Sequence, residues 1–271
     1  MDYESFYGFK KEPFSDTPDP SLFYSGPEHS RAFIKLLHII KRGRGLGILT
    51  GEVGCGKSTL ARKLLSEMSK DKKLVNGLMI LTHSDFEVEW FLKNFATLFG
   101  IEINSSTKSE MIGLIIKYLY NVHKEGRHCI LVIDEANNIS TSEMLEEIRG
   151  LLNLELSGSR LITFILCGMP VMMSNLKTNT SLFQRISSII KLPNLSFNST
   201  RDYIKFRTKQ CGVENDVFTP KAIEYIYKYS RGIPRMINVI CDNALLEGSI
   251  IKKNPVDEAI INRVCEDLGI E

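Results

Sequence analysis

The chain has 271 residues, long for a single hydrophobic core and suited to a large domain joined to a smaller one. Its 43% hydrophobic and 24% charged residues are ordinary for a folded protein, and a net charge of +2 excludes a globally basic or acidic surface while leaving room for local patches. Six cysteines without a C-x-x-C pair and five scattered histidines argue against a disulfide frame and a zinc site, and for a reducing compartment.

The start, Met1-Asp2-Tyr3-Glu4, is acidic and polar, unlike a secretory signal. The longest apolar run, Leu161 to Met173, is too short for a bilayer and contains Gly168 and Pro170. A cytoplasmic chain without a membrane span is expected. Residues 1–30 read as an irregular arm in which Phe6, Tyr7, Phe9, Phe14, Phe23 and Tyr24 alternate with prolines; so many aromatics predict an arm packed on the core. A helix follows over Arg31–Lys41, with Phe33, Leu36, Leu37 and Ile40 on one stripe.

From Gly47 onward strands and helices alternate, the pattern of a parallel sheet covered on both faces. Strands are predicted at Gly47–Thr50, Leu78–Thr82, Cys129–Ile133, Leu161–Cys167 and Ile189–Leu192. Helices are predicted at Glu87–Phe99, Ser109–Lys124, Thr141–Glu155, Pro170–Lys177 and Ser181–Ser187. Beyond Pro193 only helical patterns remain, at Thr200–Cys211, Thr219–Tyr229, Pro234–Glu247 and Val256–Leu268. The expected organisation is therefore an arm (1–30), an α/β core (31–192) with a five-stranded parallel sheet, and a small all-helical lid (193–271).

Gly51-Glu52-Val53-Gly54-Cys55-Gly56-Lys57-Ser58-Thr59 fits G-x-x-x-x-G-K-[ST] between a predicted strand and a predicted helix. The glycines allow a tight turn whose N–H groups face phosphates, and the helix adds its positive N-terminal end. Lys57 is expected on the β- and γ-phosphates of a nucleotide triphosphate and Ser58 on Mg²⁺. Cys55 is either a reactive thiol or, more simply, a tolerated side chain at a variable position. The apolar run Ile130–Ile133 ends in Asp134 and Glu135. Asp134 is placed to hold Mg²⁺, directly or through water, and Glu135 to act as general base on the attacking water.

This order of phosphate loop, Asp-Glu strand, fourth strand and helical lid resembles the AAA+ ATPases. More narrowly it is similar to the ExeA/GspA-type family of general secretion pathway ATPases. The resemblance is carried by Tyr7–Phe14, Pro18–Tyr24, Thr50–Thr59, Ile133–Ala136, Leu145–Arg149, Asn153–Glu155, Gln184–Ile186 and Gly232–Arg235. It implies an ATP- and Mg²⁺-dependent hydrolase that self-associates into a ring or filament. Arg185 matches the arginine inserted into a neighbour's site, and Arg235 matches a sensor arginine that couples the lid to nucleotide state. Tyr24 and its neighbours either border the adenine or pack in the core. One departure stands out: the family usually carries Gly-Gln-Pro after the fourth strand, whereas this chain reads Gly168-Met169-Pro170. A thioether has no donor to sense phosphate or orient water, so slow intrinsic hydrolysis is expected.

The expected partner is a protein of a secretion, pilus or surface-polymer export system. The alternative is a DNA-associated ATPase of the transposition-target or replication-loader type, with phosphate contacts from Lys10-Lys11, Lys41-Arg42-Gly43-Arg44, Lys70-Asp71-Lys72-Lys73 and Lys252-Lys253. A small-molecule kinase fits the helical region and the arginine pair less well.

Overall fold

A computed structural model describes residues 2–15, 20–84, 86–103 and 107–270. Of the stretches that carry the family resemblance, Pro18 and Asp19 lie outside the described residues. Helices α1 (Tyr3–Tyr7) and α2 (Pro27–Lys41) open the chain, followed by β1 (Leu46–Thr50), α3 (Lys57–Met68) and β2 (Leu74–Ile80). Then come α4 (Val88–Phe99), α5 (Lys108–Lys124), β3 (His128–Asp134), α6 (Ser142–Leu152), a small hairpin of β4 (Glu155–Leu156) and β5 (Ser159–Arg160), and β6 (Ile162–Gly168). Short helices α7 (Met172–Thr178) and α8 (Thr180–Phe183) precede β7 (Ile186–Lys191), and α9 (Phe197–Gln210), α10 (Pro220–Ser230), α11 (Pro234–Ile250) and α12 (Glu258–Asp267) complete the chain.

The chain forms two compact units. The α/β unit comprises Arg31–Glu52 and Leu60–Leu192. Its main sheet has five strands, all parallel, in the order β2-β3-β6-β1-β7. β1 and β6 are wholly buried and β3 nearly so, which is why they read as unbroken apolar runs, whereas the edge strands β2 and β7 are only partly buried. That difference explains two boundary errors. β2 starts at Leu74, ahead of the predicted Leu78, because an edge strand tolerates Asn76 and Gly77. The helix predicted through Ser187 ends at Phe183 instead: pairing of Ile186 with Leu46 draws the following residues into β7, overriding their local pattern. The core on this sheet includes Phe91 and Phe95 of α4, Leu119 of α5 and Ile148 of α6.

The second unit comprises residues up to Ser30, Val53–Thr59, and Pro193 onward. Its helices have clear sequence stops and starts. Ser196, Thr219 and Asp257 accept hydrogen bonds from the N–H groups of Ser199, Ala222 and Ile260, and Pro220 and Pro234 occupy first turns. The arm groups with this helical unit. Tyr3, Tyr7, Phe9 and Phe14 are buried in one cluster with Phe218, Ile240 and Leu245. Tyr3 Oη donates to Asp242 at 2.5 Å, and the buried Arg207 guanidinium donates to the carbonyls of Pro13 and Ser15 while lying 5.9 Å from the Phe14 ring centre.

His128, at the start of β3, has Nε2 2.8 Å from Thr163 Oγ1, and burial, reinforced by nearby His123, pushes its imidazole down to about 4. An unfolded histidine titrates near 6.5, so below that pH the unfolded chain takes up a proton that the folded one refuses. Stability from this residue is complete above pH ~6.5 and falls as pH drops towards 4. Between pH 7 and 5 the expected loss is roughly 2 kcal/mol. Urea titrations of the parent across this range should show it and those of His128→Gln should show a shallower slope; equal slopes would remove His128 as the cause.

Candidate functional site

β1 delivers the chain at Thr50 into the glycine-rich loop, and α3 begins at Lys57. Within the α/β unit, the Gly51 N–H donates to the Gly168 carbonyl at 3.3 Å, tying the start of the loop to the end of β6. The rest of the loop is braced inside the helical unit. Gly54 and Gly56 adopt φ +77° and +100°, where side chains are strained. Space forbids them as well: a Cβ on Gly54 would lie 2.9 Å from Arg235 Cβ, and one on Gly56 would lie 2.8 Å from His29 Nε2.

Two hydrogen bonds hold this conformation. The Arg235 backbone N–H donates to the Gly54 carbonyl at 3.2 Å, and His29 Nε2 donates to the Cys55 carbonyl at 3.1 Å. His29 is 6% exposed, and burial lowers its pKa against the opposing pull of the Cys55 carbonyl and Glu28. It is therefore neutral near pH 7, with its proton on Nε2 and a buried Nδ1 that has no hydrogen-bond partner among the described residues. No motif flags His29; its role arises from the tertiary fold alone. Cys55 is fully buried, which leaves the tolerated-side-chain reading in place of a reactive thiol. Lys57 is 7% exposed, and Ser58 and Thr59 are half-buried in the first turn of α3.

On the α/β unit, Asp134 ends β3 at 4% exposure. Its Oδ1 accepts from the Glu135 N–H at 3.0 Å, and among the described residues no basic side chain pairs with it. A buried carboxylate without a cation is costly, and oxygen coordination of a divalent ion removes that cost. The residue therefore fits the Mg²⁺ that a phosphate loop implies. Glu135 follows in the left-handed region at φ 54°, a conformation that costs a non-glycine residue about 1–3 kcal/mol and tends to gather at active sites.

A set of asparagines fixes the segment behind it. Asn138 Nδ2 donates to the Leu81 carbonyl at 2.7 Å, and Asn175 Nδ2 donates to the Ile139 carbonyl at 3.2 Å. Asn137 Oδ1 accepts from the Met169 N–H at 3.1 Å, so a carboxamide adjoins the position where a polar side chain is missing. The close approach requires Gly168, whose Cβ would meet the Asn137 backbone nitrogen at 3.0 Å. Sequence reading passed over all three asparagines, since they have no spacing that suggests one site.

Arg185 sits directly before β7, with Nε donating to Asn153 Oδ1 at 2.9 Å and Nη1 to the Ser181 carbonyl at 2.9 Å. Ile186 pairs with Leu46, the first residue of β1, whereas the loop begins past Thr50, the last. Five residues of strand separate the two ends, about 16 Å at roughly 3.3 Å per residue. Arg235 lies in the first turn of α11, exposed, beside the loop of its own chain. The Tyr24 ring packs 5.8 Å from that of Tyr203 and 5.7 Å from that of Phe206, placing it against α9 in the helical unit.

Residues 40–201 match the AAA domain family. The chain is 32% identical over 248 residues to general secretion pathway protein A of Aeromonas hydrophila, an alignment covering 90% of this chain and 44% of that protein, so it spans less than half the relative's length. Among solved structures, the ORC2 protein of Aeropyrum pernix in its ADPNP–ADP complexes superposes with a TM-score of 0.71 at 16% identity, covering 95% of this chain and 71% of that one. Cdc6p of Pyrobaculum aerophilum gives 0.74 at 15% identity, covering 94% and 70%. At such identities these structures speak for the fold only. With the glycine cradle, the Asp-Glu strand end and the parallel sheet in place, the chain belongs to the AAA+ ATPases, and within them to the ExeA/GspA type.

Proposed function

We propose that this protein is a Mg²⁺-dependent ATPase that turns over as an assembly, a neighbouring copy's Arg185 completing each site. The observation that carries this reading is the place of Arg185: it stands at the strand-start end of the sheet, a strand length from where its own loop begins. An arginine side chain does not cover ~16 Å, and this supports a role in trans over one at its own chain's nucleotide. In the same reading Lys57 meets the β- and γ-phosphates, and Ser58 and Asp134 hold the metal, which when bound neutralises charge on the phosphates. Glu135 takes the proton of the attacking water, and Arg235 reports the nucleotide to the helical unit in which the loop is braced.

The partner we propose is a protein of a secretion, pilus or surface-polymer export machine, acted on from the cytoplasm in a ring or filament. Support comes from the relation to general secretion pathway protein A across most of this chain. Among the described residues no helix is long and apolar enough to cross a membrane, and all six cysteines are buried and form no disulfide, in keeping with a reducing compartment. A DNA-associated ATPase is the second reading, favoured by a basic groove on the α/β unit.

Arg185→Ala should bind ATP as the parent does yet hydrolyse it about 1,000-fold more slowly, a loss at the low end for a missing arginine finger. Fluorescent-nucleotide titration and phosphate release measure the two halves, and hydrolysis at the parental rate would end the trans assignment. Met169→Gln should raise kcat several-fold by supplying the absent donor. A variant no faster than the parent would show that the methionine does not limit turnover.

A further inference from the structure

The α/β unit holds a cavity of ≈ 1010 Å³ where the strands of the sheet begin. Its wall carries seven lysine and arginine side chains against two carboxylates, Asp71 and Glu155. For a chain of net charge +2 this is a marked concentration of charge. The two acids are already engaged: Glu155 lies 3.6 Å from Arg160, and Asp71 accepts from the Lys73 backbone N–H at 2.9 Å. Lys41, Arg42, Arg44 and Lys73 are exposed and form no ion pair among the described residues.

The cations form a line. Lys73 directly precedes β2, Arg127 precedes β3 and Arg185 precedes β7, while Arg160 and Arg44 stand two residues before β6 and β1. In the sheet order β2-β3-β6-β1-β7, every strand is thus entered past one cation. At about 4.8 Å per strand the row extends about 19 Å. Compensation of helix C-termini accounts for Lys41, the last residue of α2, but the five members of the row lie outside the helices.

We propose that this row binds the phosphate backbone of a nucleic-acid strand. Such a strand carries one charge per ~3.4 Å of rise, so about 19 Å meets five or six phosphates, one for nearly every cation. A single nucleotide's triphosphate is too short to engage the whole row. Four of the five members are arginines, whose planar fork suits phosphate oxygens. Arg185 is shared with the proposed trans role; the other four carry the inference without it, so binding and hydrolysis fail independently.

The test is fluorescence anisotropy of the full chain with labelled single-stranded and duplex DNA of ~30 nucleotides, from about 50 to 200 mM KCl. Binding is expected with a log–log salt slope of about −3 to −5. The double variant Arg44→Glu/Lys73→Glu should weaken it at least ~10-fold and flatten the slope while leaving DNA-free ATP hydrolysis unchanged. Lys252→Glu, on the helical unit, should have no effect. If the charge reversals fail to fold by circular dichroism, Arg44→Gln/Lys73→Gln carries the same expectation with a smaller loss. Absence of binding at the lowest salt, or equal weakening by Lys252→Glu, overturns the proposal. So does poly-glutamate binding as tight as DNA and lost in the same double variant, which would assign the groove to an acidic protein.

Discussion

The phosphate loop exists only because two glycines occupy conformations and spaces that no side chain can share. Gly54 and Gly56 both sit at positive φ, and each would drive a Cβ into a neighbour that is itself holding the loop. Those neighbours, Arg235 and His29, donate to consecutive loop carbonyls, at Gly54 and Cys55. With two consecutive carbonyls engaged, the loop backbone is held in one turn, and a fixed backbone turn is what a phosphate cradle requires. The helical unit thus shapes the loop directly through α11 and the first turn of α2, and the arm and helices are part of the site's construction rather than an appendage.

The carboxylate half of the site is built by a different means. β3 is buried for nearly all its length and releases its chain at Asp134 and Glu135, where the backbone turns through a left-handed residue. The asparagines that follow are hydrogen-bonded to the backbone of β6's exit and of the segment after β2, so the strained turn is over-determined by its surroundings. Such over-determination lets strain persist where chemistry needs a carboxylate in a fixed place. Met169 fits the same picture: its backbone is held by Asn137, but its side chain brings no donor, so positioning is retained while one polar function is absent.

Much of this was legible in the residues. The loop and the Asp-Glu pair could be read because their spacing is the chemistry, and the interior strands because burial on both faces leaves an unbroken apolar run. The edge strands were harder, since β2 and β7 mix polar and apolar residues and take their extent from pairing with neighbours. His29 and the three asparagines were invisible, because each acts through a backbone atom distant in sequence. The arm's aromatics announced burial but not its location; the polar groups that receive them, Arg207 and Asp242, lie some two hundred residues away. The basic row was hidden for the same reason. Its members run from Arg44 to Arg185, and only the strand order brings them into line.

The central claim is that a site is completed by another copy of the chain, and mixing two inactive variants tests it most directly. Lys57→Ala removes the loop's cation, and Arg185→Ala removes the arginine offered to a neighbour. Each alone should be inactive in phosphate release. Mixed in equal amounts they should recover roughly a quarter of the parental rate, the share of interfaces that random association leaves whole. A mixture no more active than the sum of its parts, under conditions where the parent assembles and hydrolyses, would contradict completion in trans.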